Sequence, residues 1–93
     1  VPTAVLNNWL PDVVEATPPP MHRGRSVRVR YVTQVAAGPP TFRFFTTGDL
    51  PPAYLRYLER RLREDFGFEG TPLRVAARVR TRWEERAAGS GNR

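Results

Sequence analysis

Residues 30–45, RYVTQVAAGPPTFRFF, restrict the possible folds more than any other part of the 93-residue chain. Side chains alternate in character over residues 26–35, and a second alternating segment covers residues 41–47. A loop of about five residues with two prolines separates them, which is typical of a β-hairpin. The prolines also remove backbone donors from the loop, so a further strand could not easily pair there.

One helix is predicted before this hairpin in the sequence and one after it. Over residues 1–17 apolar residues recur at helical spacing, Thr3 is placed to cap the N-terminus, and Pro11 predicts a bend. Over residues 49–66 an apolar residue recurs at every fourth position, with prolines in the first turn. Gly67 follows directly and is a natural residue to end this helix.

A third alternating segment over residues 73–82 predicts the last strand. The resulting fold class is α/β in the α+β sense, a two-layer sandwich of order αββαβ. Two helices would cover one face of a three-stranded sheet. Because a helix joins the second and third strands, these strands should run in the same direction. Residues 1–83 are expected to form the domain, and residues 84–93 a disordered C-terminal tail.

The charge of the chain is concentrated in two segments. All fifteen basic residues are arginine, and the formal net charge is +6. Residues 23–43 have a net charge of +5 and residues 70–93 a net charge of +4. Arginine binds phosphate through two parallel hydrogen bonds, so a polyanion is the expected partner. An acidic protein surface is the alternative partner.

The alternation predicts that many of these arginines share the sheet face left open by the helices. Val32 and Phe45 are predicted on the same face, which would favour a docked partner. The phase of the first strand places Tyr31 on the opposite face, with the core. The predicted contact residues are Arg28, Arg30, Arg43, Arg74, Arg78 and Arg80.

Composition excludes most enzymatic chemistry for this chain. It contains no cysteine and no lysine, so thiol nucleophiles, zinc–thiolate sites and a lysine-containing phosphate loop are absent. His22 is the only histidine, and its proline-rich surroundings predict a solvated loop residue. No apolar run reaches the roughly 20 residues that span a membrane. No catalytic, cofactor or metal site is predicted, and the isolated domain is expected to be a monomer.

The segment GFEG, residues 67–70, has the G-x-x-G pattern with which true KH domains clamp a nucleic-acid backbone. Here it lies between a helix and a strand, and Glu69 would repel phosphate. A helix end followed by a turn is therefore the favoured interpretation. Trp83, after the last strand, is expected to pack at the sheet edge rather than to stack on a base.

Three segments together resemble one known family. VPTAVLNNWL, PPPMHRGRSVRVRYVTQVAAGPPTFRFF and LPPAYLRYLERRLREDFGFEGTPLRV occur in this order over about residues 1–80. They are similar to the C-terminal KH-like domain of the Der (EngA) family of bacterial tandem-G-domain GTPases. The resemblance implies a KH-like fold and a parent protein with two GTP-binding domains before this one. GTP and magnesium would bind those domains, and none would bind this chain.

The resemblance also implies partners. The family is implicated in assembly of the large ribosomal subunit and binds ribosomal RNA, in the cytoplasm and without membrane contact. The KH-like domain would additionally pack against the G domains of its own parent. Two functions therefore stay open: a module that contacts RNA and G domains, or a regulatory domain that docks on G domains without touching RNA.

Overall fold

The computed structural model describes residues 1–80, and the predicted tail 84–93, Trp83 and the end of the predicted third strand lie outside the described residues. The predicted element order is confirmed within this part of the chain. The elements are α1 (Thr3–Ala16), β1 (Val29–Ala37), β2 (Pro40–Thr46), α2 (Pro52–Phe66) and β3 (Arg74–Val79).

The three strands form one mixed sheet in the order β1-β2-β3. β1 and β2 are antiparallel, whereas β2 and β3 are parallel, as the helical connection between them predicts. α1 packs on β1 and α2 packs on β3. Both helices therefore lie on one face of the sheet, and the opposite face, called the open face below, has no covering element among residues 1–80.

The core lies between the two helices and the sheet. Each helix contributes three buried residues at helical spacing, and β2 contributes every second side chain. Burying a large apolar side chain stabilises the fold by about 1.5–3 kcal/mol. The central members are Leu6, Leu10, Val13, Val32, Phe42, Phe44, Tyr54, Leu58 and Leu62.

The predicted phase of β1 is wrong beyond Val29. Val29 pairs with Thr46, but Tyr31 pairs with Phe45, so the pairing shifts by one residue at Arg30. Such a bulge moves the side chains that follow it to the other face, up to a second shift of the pairing between Gln34 and Ala36. Val32 is therefore fully buried on the helix side, whereas Tyr31 is only half-buried and lies on the open face.

The helix and turn boundaries also differ from the predicted ones. Thr3 is the first helical residue rather than the cap, and Pro2 at the cap position makes no side-chain hydrogen bond. α1 continues through Pro11 to its predicted end region. The β1–β2 turn is shorter than predicted, since Ala37 already pairs with Pro40. Gly67 ends α2 as predicted, with φ 74° in the left-handed region.

Tyr54 connects α2 to the end of α1 and makes the stability of the fold depend on pH in the alkaline range. Its hydroxyl donates to the Thr17 carbonyl at 2.7 Å, and the side chain is 5% exposed. Burial, with a smaller contribution from Tyr57, raises the pKa of Tyr54 to about 12. The raised pKa means that the folded state holds this proton more tightly than the unfolded state does. The resulting stabilisation is complete below pH 10 and is lost as pH rises towards 12.

We expect Tyr54→Phe to lower the free energy of unfolding at pH 7 by about 1 kcal/mol, because one hydrogen bond is lost. Between pH 10 and 12 the wild-type chain loses up to about 2–3 kcal/mol through this group, and the variant does not. The difference between the two proteins should therefore shrink or reverse in urea unfolding at pH 7, 10 and 11. A difference that stays constant over this range would contradict the role given to Tyr54.

Candidate nucleic-acid interface

The open face is basic because of how β2 and β3 alternate. Phe42, Phe44 and Thr46 of β2 point to the helices, so the residues between them belong to the open face. The parallel pairing then aligns Arg43 with Ala76 and Phe45 with Arg78. None of the three strands contains aspartate or glutamate. The open face therefore has a positive potential that no carboxylate of the strands offsets.

An aromatic pair covered by an arginine lies on this face. Tyr31 and Phe45 stack with ring centroids 4.4 Å apart and planes 19° apart. The Arg80 guanidinium lies 4.5 Å from the centre of the Phe45 ring and 6.0 Å from that of Tyr31. Phe45 is only 6% exposed, although it lies outside the helix-side core. Arg80 thus covers the apolar centre of the open face and presents a planar cation to solvent.

Five of the six predicted arginines belong to the open face or its margin. Arg43, Arg74 and Arg78 follow the alternation of β2 and β3, and Arg80 directly follows β3 with its guanidinium over the Phe45 ring. Arg28 precedes β1, where its backbone N–H donates to the Thr47 hydroxyl at 2.9 Å and its carbonyl accepts from the Thr47 N–H. This pairing extends the hairpin by one residue and places Arg28 at the margin of the face.

Arg30 and Val32 do not belong to this group, which corrects the predicted face. Arg30 is the residue at which the β1 pairing shifts, and it lines a groove against Pro11 and Glu15 of α1. Val32 is buried under α1. The apolar attraction expected from Val32 is therefore absent from the open face, and Phe45 is covered by Arg80. The exposed part of the face is consequently more polar than the sequence predicts.

Tyr31 is the open-face residue that the sequence assigned to the wrong side. The signal was not in the strand itself, because an uninterrupted alternation fits residues 26–35. Asn7 of α1 fixes Val32 through two hydrogen bonds to its backbone, at 2.8 and 3.0 Å. A contact between residues 25 positions apart therefore accompanies the bulge, and sequence periodicity does not contain it.

The other candidates considered in the sequence, His22 and the segment of residues 67–70, lie in loops and turns. His22 Nε2 lies 3.6 Å from Asp49 Oδ2 in a loop. Gly67 ends α2. Gly70, at φ 75°, lies in a turn that is closed by a hydrogen bond from the Thr71 N–H to the Phe68 carbonyl. Among residues 1–80, no group of three metal-ligating side chains comes together, and no helix is long and apolar enough to cross a bilayer.

Comparisons with known proteins agree with this architecture. The family described as the KH-domain-like domain of EngA bacterial GTPase enzymes, C-terminal, matches residues 1–78. The chain is 59% identical over 80 residues to the GTPase Der of Mycobacterium avium and 55% identical to that of Mycobacterium tuberculosis. These alignments cover 86% of this chain but 17% of each relative, so the chain spans about a sixth of the length of these relatives.

The two helices on one face of a mixed three-stranded sheet define an α+β domain of the KH-like class. Together with the match over residues 1–78, this arrangement shows that the chain belongs to the family of C-terminal KH-like domains of EngA (Der) GTPases. The resemblance inferred from the sequence is confirmed.

Proposed function

We propose that this chain is the RNA- and G-domain-binding module of a GTPase that acts in assembly of the large ribosomal subunit. The observation that carries the proposal is the open face, where four arginines share one surface with an aromatic pair and the strands contain no carboxylate. GTP and magnesium would bind elsewhere in the parent protein, and this chain would contribute no catalytic group. This role would place the protein in the cytoplasm.

Phosphate groups are the natural ligands of Arg43, Arg74, Arg78 and Arg28. Their guanidinium groups can each bind a phosphate oxygen pair, and such contacts position RNA without identifying its sequence. Arg80 and the Tyr31 ring supply flat surfaces on which a base can stack, at about 1–3 kcal/mol per base. The open face therefore has both components of a sequence-tolerant RNA-binding surface.

The second candidate function is docking on the G domains without RNA contact. It is favoured by the same positive potential, since an acidic protein face would also be attracted. It is disfavoured because the open face exposes little apolar surface. Phe45 is only 6% exposed, and Val32 is buried on the other side of the sheet. Protein interfaces concentrate exposed apolar and aromatic side chains at their centre, and this face offers chiefly Tyr31.

A competition experiment separates the two functions. The 93-residue chain would be titrated with a fluorescent fragment of large-subunit ribosomal RNA, and then with the G-domain portion of the Mycobacterium avium relative. RNA binding that the G domains displace would support one shared face for both partners. Binding to the G domains with no measurable RNA binding would refute the proposed RNA contact and support the docking function.

A further inference from the structure

A second basic feature lies outside the sheet, in the tight turn before β1. His22 and Arg25 exchange two backbone hydrogen bonds, at 2.9 and 3.1 Å, and enclose Arg23 and Gly24. Both enclosed residues have positive φ, 53° for Arg23 and 75° for Gly24. Asparagine or aspartate followed by glycine is the usual choice for such a turn, because an ordinary side chain is strained there. An arginine in this position suggests that its side chain is retained for another purpose.

This turn forms one wall of a cleft with a volume of about 540 Å³. The segment directly after β2 also lines the cleft, at Thr47 and Gly48. The polar groups of the lining side chains are two guanidinium groups, an imidazole and two hydroxyls, and none is a carboxylate. The lining residues are His22, Arg23, Arg25, Ser26, Val27, Thr47 and Gly48.

The hydrogen bonding of Thr47 leaves a donor for this cleft. Its oxygen accepts from the Arg28 N–H at 2.9 Å, so its own hydrogen is available to donate. Gly48 packs closely against Val27, because a Cβ there would lie 3.1 Å from Val27 Cγ2. Asp49 interacts with His22 at 3.6 Å, is strongly exposed and does not line the cleft. The cleft is therefore rich in donors and in positive charge.

We propose that this cleft is a discrete binding site for a phosphate ester group, held by Arg23, Arg25 and Thr47. The site is separate from the open face and does not depend on the function proposed for it. Two arginines and a hydroxyl match a tetrahedral anion, which accepts several charge-assisted hydrogen bonds at once. The phosphate can belong to a polynucleotide backbone or to a free nucleotide, since both present the same oxygens.

The strained backbone of Arg23 allows a test that distinguishes a binding role of this residue from a purely structural one. Arg23→Asn places a favoured residue in the turn, so the melting temperature should rise. The same change removes a guanidinium, so phosphate binding should weaken about tenfold. A variant that becomes more stable while losing the ligand identifies Arg23 as a residue retained for binding.

The experiment is a titration of the ¹⁵N-labelled 93-residue chain with inorganic phosphate, followed by amide chemical shifts, with chloride at equal ionic strength as reference. We expect saturable shifts of Arg23, Arg25, Thr47 and Gly48 with phosphate and not with chloride. Arg25→Gln should weaken binding as Arg23→Asn does. Arg56→Gln, at an exposed position of α2, removes the same charge and should leave the phosphate affinity unchanged.

Two further ligands distinguish the sources of the phosphate. A response to AMP that exceeds the response to a short RNA with a 5′-hydroxyl end would assign the cleft to a free monoester, and the reverse would assign it to the RNA backbone. Equal shifts in phosphate and chloride would overturn the proposal, as would unchanged phosphate affinity in both Arg23→Asn and Arg25→Gln. If the open face does not bind RNA, the amide shifts of Arg43 and Arg78 would not change when RNA is added, whatever the residues of the cleft show.

Discussion

Asn7→Ala should lower the free energy of unfolding by about 2–4 kcal/mol, although alanine has a higher helix propensity than asparagine. The Asn7 amide donates to the Val32 carbonyl at 2.8 Å and accepts from the Val32 N–H at 3.0 Å. Within residues 1–80 β1 is an edge strand, so these two backbone groups have no partner strand there on that side. The alanine variant leaves both without their partner, at about 1–3 kcal/mol each.

Asn8→Ala is the matched control for this change. Asn8 is the next residue of α1 and is exposed. Its replacement should change stability by less than about 0.5 kcal/mol, because only helix propensity is altered. Thermal unfolding would measure the pair, with an expected decrease of about 10–20 °C for Asn7→Ala alone. Equal melting temperatures for the two variants would show that Asn7 does not hold β1 in place.

The largest expected effect on binding comes from the open face. Replacing Arg28, Arg43, Arg74 and Arg78 together by glutamine should lower the affinity for ribosomal RNA about a thousandfold at 0.1 M salt. Each phosphate contact contributes about 0.7–0.9 to the slope of log affinity against log salt, so four contacts amount to about three decades at that concentration. Arg80 is kept in this variant because it covers Phe45 and supports the face itself.

The fold of this quadruple variant should be unchanged. Arg28, Arg74 and Arg78 are exposed and Arg43 is half-buried, and substitutions at such surface positions usually alter stability by no more than about 0.5 kcal/mol. Far-ultraviolet circular dichroism and thermal unfolding would confirm this before the RNA titration. A correctly folded variant with wild-type RNA affinity would remove the open face from the account of RNA binding.

The sequence predicted the parts of the fold that depend on local pattern. The parallel pairing of β2 with β3 follows from the helix between them, and the alternation of β2 is uninterrupted, so Arg43 and Phe45 were assigned correctly. The phase of β1 was not predictable in this way. The bulge at Arg30 is accompanied by the contact between Asn7 and Val32, which is a tertiary interaction.

The candidate site was predicted to a similar extent. The charge pattern identified the basic face, but it also placed Arg30 and Val32 there. The covering of Phe45 by Arg80 depends on a side-chain conformation that no spacing rule contains. The phosphate cleft was missed because its residues are far apart in the sequence, at the turn of residues 22–25 and at Thr47. The available signal was Arg23-Gly24, a turn dipeptide with an unusual first residue.

The most direct test of the central claim compares the salt dependence of RNA binding in two double variants with equal loss of charge. Arg43→Gln/Arg78→Gln changes the open face, whereas Arg56→Gln/Arg60→Gln changes exposed positions of α2 on the opposite layer. We expect the slope of log affinity against log salt to fall by about 1.4–1.8 units in the open-face variant and to stay at the wild-type value in the α2 variant. Equal slopes in the two variants would contradict the claim that the open face is the surface that binds RNA.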